Sequence, residues 1–190
     1  MALSRIEVAN RALDAVGVDR LASLDQGGKA ANLCNAMMPV LRDGLLRRHP
    51  WNFAKGRANL PALVGAPAWG YTYRYQLPAD CLRVLRLNVT DPTTAYKIEG
   101  GLLLTDAGPP LGISYIKRIE DPGLFDALFA EVLIKAIARD LAKPMANDTA
   151  LRQVMAKEFD EALRDARSAN AAEGLPDTLW SDTLLNARLI

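Results

Sequence analysis

The chain has 190 residues and half of them are hydrophobic, enough to bury the core of one domain or of two small halves. Its 23 Lys and Arg against 22 Asp and Glu leave a net charge of +1. That balance argues against a dedicated nucleic-acid binder, although it leaves room for a local basic surface.

Ser4 opens the first predicted helix, and Glu7 follows at the three-residue offset of a capping box. Ile6, Ala9, Leu13 and Val16 recur at helical spacing, and Gly17 suits the left-handed position that ends a helix. Residues 21–28 read as a connection, with Gly27-Gly28 a flexible joint. A second helix is predicted over residues 30–49, with Leu33, Met37, Val40, Leu41, Leu45 and Leu46 as its apolar stripe. Pro39 lacks an N–H and crowds the preceding turn, so a kink or a late start is expected there. Pro50 favours termination near His49.

The middle of the chain changes period. Tyr71, Tyr73 and Tyr75 alternate with Thr72, Arg74 and Gln76, as in a strand. Further strands are predicted around Leu82–Leu87, at 96–99, 102–105 and 113–119, with Gly100-Gly101 a tight hairpin turn. Asp91-Pro92 and Gly108-Pro109-Pro110 mark loops. One small antiparallel sheet is the expected result. Helix returns after Pro122, with Phe125, Leu128, Phe129, Val132, Leu133, Ala136, Ile137 and Leu141 as a wide stripe that Lys143-Pro144 should end. Asn147 or Asp148 can cap a last helix reaching about Glu173, with Leu151, Val154, Met155, Phe159, Ala162, Leu163 and Ala166 on its apolar side. Gly174 and Pro176 break it. The remaining segment, 175–190, is strongly apolar for a chain end, with Leu179, Trp180, Leu184, Leu185, Leu189 and Ile190 needing a surface to cover them.

No reaction centre can be assembled from these residues. His49 is the only histidine, and it stands at a helix end where a cation favours the helix dipole. Cys34 and Cys81 lie in apolar sequence and form neither a disulfide framework nor a metal motif, so no cofactor is expected. Asp160/Glu161 point apart on a helix, and Glu120/Asp121 suit a helix start. Gly27-Gly28-Lys29 lacks the spacing and hydroxyl of a phosphate loop. The N-terminus lacks the order of a signal peptide, and no apolar run reaches about 18 residues, so secretion and membrane insertion are disfavoured. Arg42, Arg47, Arg48, Lys55 and Arg57 form a candidate basic patch opposed only by Asp43. From Glu158 to Asp182, seven acids face two arginines, a candidate acidic face. Trp51 and Phe53 are expected to anchor the junction of helices and sheet.

Several short motifs carry a family resemblance through their order. They are Ile6-Glu7-Val8-Ala9-Asn10-Arg11-Ala12-Leu13, Val16-Gly17, Leu41-Arg42-Asp43 and His49-Pro50-Trp51-Asn52-Phe53-Ala54. Tyr75-Gln76-Leu77-Pro78-Ala79-Asp80-Cys81-Leu82-Arg83-Val84, Tyr115-Ile116 and Asp121-Pro122 follow. The arrangement resembles the head–tail adaptors, or tail tubular proteins, of short-tailed phages. The resemblance implies an α+β, mainly α fold: a bundle of N- and C-terminal helices (residues 1–56 and 120–174) with a small antiparallel β-domain (57–119) inserted. It also implies a dodecameric ring on the portal protein that continues the DNA channel and receives the next tail component, a nozzle, tail tube or stopper. Residues 175–190 would be the portal-docking tail, with Leu175, Leu179, Trp180, Leu184, Leu185, Leu189 and Ile190 as its interface. The expected location is the head–tail joint of a virion, after assembly in the host cytoplasm. The alternatives are a small cell-wall enzyme using Asp or Glu, and a DNA-binding regulator using the Arg42–Arg57 region.

Overall fold

A computed structural model describes residues 3–91 and 93–173. Pro92, the helix breakers Gly174 and Pro176, and the predicted docking tail 175–190 lie outside the described residues. Among the described residues the fold is α+β and mainly α, with four helices and two small antiparallel sheets.

The first helix, α1 (Arg5–Ala15), begins where the sequence predicts. Ser4 accepts the Glu7 N–H at 3.2 Å. The reciprocal half of the capping box is replaced, because the Glu7 carboxylate pairs with Arg11 one turn on. Gly17 at φ +70° allows a Schellman ending, in which Val18 N–H reaches the Leu13 carbonyl and Gly17 N–H the Asp14 carbonyl. Helix α2 (Gly28–Arg48) starts two residues earlier than predicted and runs through Pro39 without a late start. Its buried face is Ala31, Cys34, Met38, Leu45 and Leu46, and Val40 is 70% exposed. The apolar stripe assigned from sequence was therefore rotated. The small side chains of Ala31 and Cys34 carry a weaker signal than Leu33 and Val40, yet both are fully buried.

Helix α3 (Ala127–Ala146) is the centre of the helical core. Asp126 caps it through the N–H groups of Leu128 and Phe129. Phe129, Val132, Leu133, Ala136, Ile137 and Leu141 are buried as predicted; Phe125 lies just before the helix, and Leu128 is exposed at its rim. The helix passes Pro144 and ends at Asn147, which adopts the left-handed conformation at φ +52°. The predicted stop at Lys143-Pro144 is thus three residues early. Proline removes one N–H but does not forbid another half-turn when a left-handed asparagine closes the end. Helix α4 (Thr149–Ala172) is capped by Asp148, whose carboxylate accepts the Leu151 N–H at 3.0 Å. It lays Met155, Phe159 and Ala166 against the core, while Val154 faces outward.

Among the described residues the strands are β1 (Lys55–Leu60), β2 (Tyr73–Gln76), β3 (Cys81–Asn88), β4 (Tyr96–Glu99), β5 (Leu102–Thr105) and β6 (Leu111–Lys117). They make two sheets, ordered β1-β6-β3 and β2-β5-β4, in place of the single sheet expected. Strand β1 escaped the sequence reading because Lys55-Gly56-Arg57-Ala58-Asn59 lacks β-branched and aromatic residues. Its pairing with β6 overrides that weak propensity. Gly56 leaves room for the Lys117 side chain, which a Cβ there would approach to 2.5 Å. The hairpin β4–β5 turns at Gly100-Gly101, both with positive φ, as the sequence requires. Leu60, Tyr75, Val84, Leu103, Leu111, Ile113 and Tyr115 form a second core between the sheets, with the Tyr75 hydroxyl donating to the Ala107 carbonyl at 2.6 Å.

Helices and sheets meet at Trp51. Pro50 and the extended His49 end α2, and a 3-10 turn (Asn52–Ala54) then feeds β1. Trp51 is buried, and its Nε1–H donates to the Leu45 carbonyl at 3.0 Å. Its ring meets Phe129 edge-on at 5.2 Å, and Phe53 packs on Phe129 and Phe125. Replacing Trp51 by Ala should lower the unfolding free energy by about 3–5 kcal/mol, read by chemical denaturation with far-ultraviolet circular dichroism. Trp51→Phe should cost less, about 1–3 kcal/mol, mainly by orphaning the Leu45 carbonyl.

Candidate functional site

The basic patch read from sequence is dispersed by the fold. Arg42 is mostly buried and bound to Asp43 at 2.8 Å, with Glu120 at 3.9 Å. Asp43 also holds Arg118 at 2.9 Å, so these charges tie α2 to the segment after β6. Arg47 donates to the Leu82 carbonyl and joins α2 to β3. Arg48 is exposed on the last turn of α2. Only Lys55 and Arg57 lie on a common surface, two residues apart on β1.

That surface belongs to sheet β1-β6-β3. Side chains alternate across a strand, so residues paired in register share a face. Lys55 pairs with Ile116, Arg57 with Ser114 and Asn59 with Gly112. On the far strand Arg83 pairs with Ile116, Arg86 with Ser114 and Asn88 with Gly112. In a regular strand Arg83 and Arg86, three residues apart, would point to opposite faces. A register shift between Val84 and Arg86 inserts one extra residue and returns both arginines to the same face. Sequence reading missed Arg83 and Arg86 because a bulge leaves no mark in the alternation of residue types.

Between these strands lies a recess of about 130 Å³ lined by Arg57, Asn59, Arg86, Asn88, Gly112 and Ser114, among others. Gly112 keeps its floor open, since a Cβ there would come within 2.9 Å of Asn88. Its polar lining side chains are cationic or neutral, and among the described residues no carboxylate lines it.

At the end of this face nearest the helices, His49 sits in a polar clamp. The Asn52 backbone N–H donates to Asn170 Oδ1 at 2.7 Å, and Asn52 Nδ2 donates to the Asn170 carbonyl at 2.8 Å. Because a backbone N–H can only donate, Asn170 must turn its amide nitrogen toward His49 Nε2, 3.0 Å away. Nε2 is therefore the acceptor and the imidazole is neutral. Lys55 reaches Asn52 Oδ1 at 2.8 Å, and Glu173 accepts from Asn52 Nδ2 at 3.2 Å. Burial, then Arg167, Arg83 and Lys55 in turn, depress the affinity of His49 for a proton. The helix-end cation expected from sequence is overturned: desolvation and three positive neighbours outweigh the dipole.

The other candidate chemistry is committed to structure. Asp121 accepts the Gly123 N–H at 2.9 Å, as a helix-start residue should. A wide depression of about 880 Å³ beside it is lined by Leu3, Ile6, Asp25, Pro39, Arg42 and Glu120, among others. It sets no nucleophile against a base: its Ser4 hydroxyl caps α1 and its Ser23 hydroxyl accepts the Asp25 N–H. Cys34 is buried, Cys81 is half-buried, and burial pushes both thiols up in pKa. Among the described residues no group of three His, Cys, Asp or Glu could hold a metal ion, and no helix is long and apolar enough to cross a membrane. On α3 and α4, Glu131, Glu158, Glu161 and Asp165 line an acidic groove in which Lys135 pairs with Glu158.

The long β1–β2 connection was also overlooked. Leu63 N–H bonds the Arg74 carbonyl at 2.9 Å, and an Arg74 guanidinium nitrogen bonds the Val64 carbonyl at 2.7 Å. The neck is thus pinned, while Val64 is 95% and Trp69 81% exposed. The signal available was a tryptophan standing alone among Gly, Pro and Ala.

No family model matches the chain, and no curated protein matches it either.

A histidine with a depressed folded-state pKa leaves the native protein binding fewer protons than the unfolded chain just below pH 6.5. Stability should therefore fall as the pH drops below about 6.5, the ordinary histidine value. Denaturation midpoints across pH 5–7 should show this loss, and His49→Gln should flatten it.

Proposed function

We propose that this protein is a structural head–tail adaptor of a phage or phage-like particle. It would form a ring on the portal protein, continue the DNA channel and receive the next tail component. The observation that carries the reading is where exposed apolar surface falls. Trp69 and Val64 are held out on a hydrogen-bonded neck, a costly arrangement for an isolated chain and a useful one for a subunit. Val40 and Leu124 add apolar surface on the helical side. A ring needs two different patches on each subunit, because its contacts run head to tail. The loop tip and the helical side are separate patches of this kind.

Two of the motifs behind the family resemblance lie at the crossings between helices and sheet, which supports the reading. His49 to Ala54 carries the chain from helix into sheet, and Asp121-Pro122 returns it from sheet to helix. The apolar tail 175–190 would dock on the portal, with Leu179, Trp180, Leu184, Leu185, Leu189 and Ile190 supplying the buried area.

Portal rings mixed with the full chain should co-sediment with it and show an added coaxial ring by electron microscopy. A chain ending at Glu173 should keep its helical circular dichroism and lose portal attachment. Normal attachment by that shortened chain would refute the docking role of the tail.

A further inference from the structure

The geometry points to a proton-operated latch at the end of α4: protonation of His49 breaks the Asn170 bridge that holds residues 167–172 to the helix–sheet joint. The latch is a property of how this chain holds its own last helix, and it does not depend on the adaptor reading.

The hold on this end of α4 is polar. Ala166 is the last buried residue of the helix, and residues 167–172 are half-buried or exposed. Two hydrogen bonds tie them to the joint, from the Asn52 N–H to Asn170 Oδ1 at 2.7 Å and from Asn52 Nδ2 to the Asn170 carbonyl at 2.8 Å. Glu173 adds a third contact, accepting from Asn52 Nδ2 at 3.2 Å. A helix end without a buried apolar side chain of its own opens at low cost once such ties are lost.

Asn170 bridges two partners with one amide. Its oxygen faces the Asn52 backbone N–H, which can only donate, so its nitrogen faces His49 Nε2 at 3.0 Å. Neutral His49, with its proton on Nδ1, accepts there. The added proton of a charged imidazole has one place to go, Nε2, where it would point at the amide N–H. Turning the amide over only moves the conflict to the Asn52 N–H. Neither orientation of this amide satisfies both partners once His49 is charged, so the bridge has to open.

The groups around the ring act in the same direction. Beyond burial, Arg167 on α4, Arg83 on β3 and Lys55 on β1 oppose a positive charge on His49. On α2, Arg47 is committed to the Leu82 carbonyl and Arg48 is exposed. Glu173 is the carboxylate of the clamp, and it is engaged with Asn52. The Trp51 ring meets the imidazole edge-on at 4.7 Å and brings no charge. The closed clamp therefore takes up a proton less readily than the open one. Closure is favoured at neutral pH and lost as the pH falls below about 6.5, the ordinary histidine value.

The test is amide hydrogen exchange of the full chain, read residue by residue by NMR and corrected for intrinsic exchange rates. It is run about one pH unit above and about one unit below the ordinary histidine value. Opening at Asn52 and at residues 167–172 should rise by up to about tenfold on acidification, while the core amides of α3 keep their protection. H49Q has no proton to gain and should open equally at both pH values. N170D puts a carboxylate in the bridge, which accepts from both the Asn52 N–H and a charged His49. It should raise the proton affinity of His49 and reverse the effect, holding residues 167–172 better in acid. Unchanged protection in the unaltered chain, an equal loss across α3, or the same acid response in H49Q overturns the latch. So does a folded N170D that responds to acid as the unaltered chain does. If N170D fails to fold, the comparison of the unaltered chain with H49Q decides.

Discussion

The burial of Trp51 fixes the direction in which the chain leaves the helices. Its indole nitrogen closes the end of α2 on the Leu45 carbonyl, and its ring packs against Phe129 at the start of α3. Asn52, the next residue, then binds Asn170 twice, so the last turns of α4 are tied to the same point. Three helices and the first strand are thereby referenced to one heptapeptide, His49 to Lys55. The hydrophobic term supplies most of the stabilisation, while the amide clamp supplies direction, because two paired amides tolerate little rotation. Everything the sheets display is aimed by this joint.

Much of this was legible in the sequence. The caps at Ser4 and Asp148, the Gly17 ending and the Gly100-Gly101 turn are local, and local chemistry can be read from residues a few positions apart. What escaped were features decided at long range. The buried face of α2 includes the small residues Ala31 and Cys34, whose apolar signal in sequence is weak. Strand β1 exists because β6 offers it a partner. Pro144, predicted to stop α3, sits inside it, since a left-handed asparagine closes the end one half-turn later and outweighs one missing hydrogen bond.

The candidate site shows the same division. A cluster of basic letters between Arg42 and Arg57 suggested a patch, but helix and strand periods send those side chains to different partners. The cationic face that does form combines two strands separated by more than twenty residues in the chain, and its arginines align only through a bulge. His49 illustrates a competition that sequence cannot weigh. The helix end favours its charge, but burial and the cations of α4, β3 and β1 prevail. The apolar loop tip around Trp69 and the positive sheet face lie on the same β-region.

The central claim is that this chain acts by joining other assemblies. It is tested most directly by producing particles from which this one protein is missing. The account predicts filled heads and separate tails that join when the purified full chain is added back. Particles with heads and tails already joined in its absence would contradict it.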